Sequence, residues 1–131
     1  MAVDPDSLGY PVVDLPTSVL SSPTTAVTHL VDHLVQSGRI RPENAPSVAS
    51  QVTRREALGS TAIGRGVALP HSKSDFVDQI MVVVGRCEQP MNWPGSLDNA
   101  PVHMIVLLVT PASQPGPAMR ALETLARRLR G

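Results

Sequence analysis

The sequence predicts an α/β sandwich, with helices on both sides of a few central strands. Three observations carry this reading. Apolar residues recur at helical spacing in three separate stretches. Two runs, Val67-Ala68-Leu69 and Ile80 to Val84, are short and apolar or rich in β-branched residues. Val102 to Thr110 is apolar except for His103 and its last threonine, as a strand covered on both faces should be.

The elements follow in order. Residues 1 to 14 carry Pro5 and Pro11 and no clear period, so they are expected to be an irregular lead-in, with room for one short strand at Val12-Val13. The main domain is expected over residues 15 to 131. Ser22 can cap a helix whose first position is Pro23. Val27, Leu30, Val31, Leu34 and Val35 mark its buried face, and Gly38 is a natural stop. Pro42 opens a second helix running to about Ala57, with Ala45, Val48, Ala49 and Val52 on one face. Gly59 ends it, and Gly64-Arg65-Gly66 forms a tight turn before the Val67 strand. Residues 89 to 101 hold Pro90, Pro94, Gly95 and Pro101 and read as a loop. A second loop spans Pro111 to Pro117. Ala118, Leu122, Leu125, Ala126 and Leu129 then mark a last helix, with arginines at its C-terminal end where the dipole favours cations.

Composition narrows the function. The chain has 131 residues, enough for one domain with a single core. Lys+Arg and Asp+Glu are 11 each, so there is no cation excess for binding nucleic-acid phosphates. Aromatics at 2% leave too few rings for a base-stacking platform. Cys87 is the only cysteine, which excludes an internal disulfide. The first residues do not read as a signal peptide, and the run Met104 to Val109 is too short to cross a membrane. No membrane insertion and a cytoplasmic location are the expectation.

One stretch concentrates chemistry: Arg55 to His71. Histidine can act as a covalent nucleophile through a neutral imidazole near pH 7. A phosphoryl group on it would need donors already in place around its oxygens. Ser60 and Thr61 offer hydroxyls, Arg55 a planar cation, and the Gly64 and Gly66 turn backbone N–H groups. Pro70 would stiffen the backbone before His71. The same residues also fit a plainer reading: a strand, a glycine hairpin, and a histidine that happens to end a strand.

The run Arg55-Glu56, Ser60-Thr61, Ile63-Gly64, Gly66-Val67-Ala68, Pro70-His71 resembles, spacing included, the signature of enzyme IIA domains of the fructose/mannitol class of the bacterial phosphotransferase system, including its nitrogen-regulatory branch. A looser similarity runs from about Leu15. The resemblance implies a mixed β-sheet flanked by helices. It implies a phosphotransferase component in which His71 takes a phosphoryl group from the histidine of an HPr-type carrier, with Arg55 stabilising the charge and Ser60 or Thr61 orienting the ring or the phosphate. It implies no metal and no organic cofactor. The onward partner would be a IIB domain or, in a regulatory role, a target protein. The absence of a fused IIB, IIC or HPr-like domain favours the regulatory role.

Two departures stand against the family pattern. A second histidine usually opens the last helix, and here Ala118-Met119 falls in its place. The chain is also expected to be short at its C-terminus. Both support an alternative: a IIA-like docking module that transfers no phosphate. Elsewhere, His29 and His33 share a helix face but have no further ligands nearby for a metal. Trp93 is expected to anchor its loop.

Overall fold

The computed structural model describes residues 3–130. A six-stranded mixed sheet lies between two layers of helix. Strand β1 is Val12–Leu15, β2 Ala62–Gly64, β3 Val67–Ala68, β4 His71–Ser74, β5 Met81–Met91 and β6 Val102–Pro111. Helices α1 (Pro23–Gln36), α2 (Ala45–Leu58) and α3 (Pro115–Arg130) complete the chain, with three short 3-10 turns. The path across the sheet is β1-β5-β6-β3-β2, and β4 also pairs with β6.

The sandwich follows from alternation along the central strands. Ile105, Leu107 and Val109 of β6 face the core under α1 and α2. Met104, Val106 and Leu108 face the other core, which α3 closes with Leu125 and Leu129. Strand β5 does the same, with Met81 and Val83 on one face and Val82 and Val84 on the other. Period-2 side chains in a strand apolar on both faces demand two covering layers.

Helix α1 starts as its residues dictate. The Ser22 hydroxyl accepts from the Thr25 N–H, Thr25 returns the bond to the Ser22 N–H, and Pro23 fills the first turn. Helix α2 begins later than expected: Pro42–Asn44 forms a separate 3-10 turn, and the α-helix opens at Ala45.

Three expectations are corrected. The N-terminal segment is more ordered than an irregular lead-in: the short strand expected at Val12-Val13 forms, and a 3-10 turn precedes it. Pro5–Leu8 is a 3-10 turn capped by Asp4, Leu8 is buried, and Val12–Leu15 runs parallel to β5. Pro5 opens the turn and Pro11 precedes β1, so neither interrupts an element, and a boundary at residue 14 would cut β1. Arg86 of β5 ties the segment down with ion pairs to Asp6 and Asp14. Strand β5 continues to Met91, so the following loop begins at Asn92. A break in the β5–β6 register between Arg86 and Met91 admits Pro90 without costing a ladder bond to β6. Finally, His71 starts a strand instead of ending one. Val67 lies opposite Met104 and His71 opposite Leu108, so β3 and β4 are one line along β6, interrupted at Leu69-Pro70. Pro70 still serves that line, because its carbonyl accepts the Leu108 N–H.

Candidate active site

His71 stands at the break in that line. Residues paired across parallel strands share a face, so its ring points with Leu108 toward α3. It lines a small cavity of about 50 Å³ with Thr110, Ala118, Met119 and Leu122. The ring is half-buried, and its Nδ1 lies 2.8 Å from the carbonyl oxygen of Leu69. A carbonyl only accepts, so Nδ1 carries the proton and Nε2 keeps its lone pair. Burial pushes the His71 pKa below its ordinary value. The bond to Leu69 opposes this, the nearby Arg55 charge adds to it, and Glu56 opposes it. The net result favours the neutral ring.

The C-terminal end of α2 supplies Arg55 and Glu56, and they do different work. The Arg55 guanidinium donates to the Gly59 carbonyl at 2.9 Å, which folds the helix exit back beside the site. The Glu56 carboxylate is a hub. It accepts from the Thr61 N–H at 2.8 Å, the Thr61 hydroxyl, and the Trp93 indole N–H at 3.1 Å. Trp93 is buried and fixes the loop 92–101, as anticipated from its surroundings.

The two hydroxyls named from the sequence are placed differently. Thr61 is buried, and its proton is committed to Glu56. The Ser60 hydroxyl accepts from the Ala62 N–H at 3.2 Å, which leaves its own proton for another acceptor. Loop 92–101 passes close over Ser60, since a Cβ on Gly95 would come within 2.8 Å of the Ser60 Cβ.

The glycine turn is not brought to His71. Gly66 is five residues away along an extended line, roughly 15 Å at strand rise. Gly64, Arg65 and Gly66 all have positive φ. The Arg65 N–H is already taken by Asp98 at 3.0 Å, and a Cβ on Gly66 would sit 2.1 Å from His103 Nδ1. These glycines shape a turn against loop 92–101; the backbone N–H groups expected to meet a phosphoryl group lie elsewhere. Sequence reasoning missed Asp98, whose carboxylate also accepts from the Ala100 N–H and Ser96 hydroxyl. Its signal was available: Ser96 and Asp98 between Gly95 and Pro101 are turn-forming residues with side-chain acceptors.

Cys87 is buried, which pushes its thiol up to about 11, so it is not an activated nucleophile. Among the described residues no three His, Cys, Asp or Glu side chains cluster as a metal site would require. No described helix is long and apolar enough to cross a membrane.

Residues 13–131 match the profile of the family described as phosphoenolpyruvate-dependent sugar phosphotransferase system, EIIA 2. The chain belongs to that EIIA 2 family. A nitrogen regulatory protein of Bradyrhizobium diazoefficiens is 31% identical over 92% of this chain and 76% of its own length. The 2-O-alpha-mannosyl-D-glycerate-specific EIIABC component of Escherichia coli is 33% identical over 79% of this chain, but that stretch is only 16% of the much longer protein. Among solved structures, nitrogen regulatory protein IIA-Ntr from Neisseria meningitidis superimposes with a TM-score of 0.78 at 25% identity, over 93% of this chain and 79% of that one. The mixed sheet flanked by helices is therefore an EIIA fold, and the chain is a phosphotransferase-system IIA domain similar to the nitrogen-regulatory proteins.

Within this EIIA domain, the helix position where a second family histidine was expected does face His71. It is occupied by buried Ala118 and by Met119, both at the shared cavity.

Proposed function

We propose that this domain carries a phosphoryl group on His71 Nε2, taken from the phosphohistidine of an HPr-type carrier, in a regulatory role of the nitrogen type. The observation that carries the reading is the bond from Nδ1 to Leu69, which leaves one nucleophilic nitrogen, aimed away from the backbone. In the transfer, the Nε2 lone pair forms a bond to phosphorus. The phosphorus–nitrogen bond to the donor histidine breaks, and its electron pair leaves with the donor ring. The phosphoryl oxygens keep their charge throughout. Arg55 supplies a cation beside them and Ser60 a free hydroxyl proton. Thr61 supports the site through Glu56.

The group would pass onward to a IIB domain or control a target protein by its presence. The matched stretch of an EIIABC component supports a IIB partner, and the likeness to nitrogen regulatory proteins supports a regulated target. A cytoplasmic location fits both partners.

A second reading rests on Ala118. With no second imidazole at the cavity, the domain would dock on a partner and transfer nothing. Intact mass after incubation with phosphoenolpyruvate, enzyme I and HPr separates the two. One acid-labile phosphate, lost in His71→Ala, establishes the carrier. A folded protein that gains none is the docking module.

A further inference from the structure

We propose that Glu56 is a positioning residue for His71, acting through the backbones of Thr61 and Leu69. This rests on the carrier reading and names a residue that tunes it. The links form an unbroken line. The Thr61 N–H donates to Glu56 at 2.8 Å, and the Thr61 carbonyl accepts the Leu69 N–H at 3.0 Å. The Leu69 carbonyl accepts the His71 Nδ1 proton at 2.8 Å. Thr61 and Leu69 are each gripped at both backbone polar groups, so a shift at Glu56 is passed on toward the imidazole.

Glu56 is itself fixed from two directions. Thr61 holds it from the strand side by N–H and hydroxyl. Trp93 holds it from loop 92–101 by its indole N–H. The Thr61–Leu69 bond continues the β2–β3 hairpin, where Ala62 faces Ala68. The register of that hairpin shifts between Ala62 and Gly64. The Glu56 carboxylate holds Thr61 immediately before it. Three donors occupy the carboxylate, so its oxygens are held in one place by Thr61 and Trp93. Arg55, one residue earlier, bonds only the Gly59 carbonyl among the described contacts and takes no part in the line.

Near-attack geometry is sensitive to displacements of about 1 Å, which can cost up to about a hundredfold in rate. Glu56→Gln keeps the shape, removes the charge and replaces one acceptor oxygen with a donor. Its acceptance rate at saturating phospho-HPr should fall about ten- to a hundredfold, with the half-saturating donor concentration unchanged. Nitrogen-15 imidazole spectra should show the Nδ1–H tautomer of His71 in wild type and a mixture in the variant. Glu56→Asp, which draws the carboxylate back by one methylene, should move both readouts the same way and serves if Gln does not fold. A folded Glu56→Gln protein with the wild-type rate and tautomer overturns the proposal. So does a wild-type His71 protonated on Nε2, whichever variants fold. A wild type that accepts no phosphate overturns the carrier reading instead, and the tautomer comparison still decides the role of Glu56.

Discussion

The Nδ1 proton of His71 is held by the carbonyl oxygen of Leu69, two residues back in the same chain, at 2.8 Å. The contact spans the interruption between β3 and β4, where Pro70 keeps the line against β6 while taking the chain out of the regular ladder. A histidine inside an unbroken strand would have no such carbonyl to reach. The interruption thus sets the tautomer, and the tautomer sets which nitrogen can react.

The pH dependence of acceptance follows from burial of the ring. A lowered pKa means the neutral, nucleophilic form persists to lower pH than an ordinary histidine allows. Acceptance should stay level through neutrality and fall only as pH drops through the folded value, below 6.5. Stability has the same sign. The unfolded chain binds the proton more tightly, so the contribution of His71 is full above the unfolded pKa and is lost as pH falls. An NMR titration of the ring checks this, and a midpoint at or above 6.5 would contradict it.

Gly66 is fixed by sterics and backbone angle together. Its φ is +77°, and an added Cβ would sit 2.1 Å from His103 Nδ1. Gly66→Ala should cost about 1–3 kcal/mol, read as a fall in Tm. Adding His103→Ala should recover part of the loss, because it removes the clash and leaves the backbone strain. Full recovery would show that the left-handed angle costs nothing there.

Ala118 tests the place of the absent second histidine. Ala118→His puts a ring into a cavity of about 50 Å³, so it should destabilise the fold by about 1–3 kcal/mol. The same ring would reach the phosphoryl group on His71 and lengthen its lifetime. Decay of the phosphorylated mass over time measures that, and an unchanged lifetime would mean position 118 does not meet the group.

Much of this was legible in the sequence where local rules decide the outcome. Ser22-Pro23 announced α1, and the apolar run of β6 announced two covering layers. The Arg55 to His71 pattern located the site. Other features depend on contacts between distant segments. Gly64 and Gly66 looked like an anion loop, but Asp98 and His103, more than 30 residues on, use that turn for packing. Ser60 and Thr61 could not be told apart until Glu56 took the Thr61 proton. The short strand at Val12-Val13 was legible, but its extension to Leu15 and its place at the sheet edge were not, because both depend on pairing with β5. The tautomer of His71 needed the break at Leu69-Pro70, which no periodicity reveals.

The most direct measurement is the site of phosphorylation within the His71 ring. Phosphorus-31 and nitrogen-15 spectra of the protein, labelled on histidine and phosphorylated by phospho-HPr, distinguish the two nitrogens. The account requires phosphorus on Nε2, with Nδ1 still protonated and bonded to Leu69. Phosphorus on Nδ1, or a folded protein left unmodified by a competent donor, would contradict it.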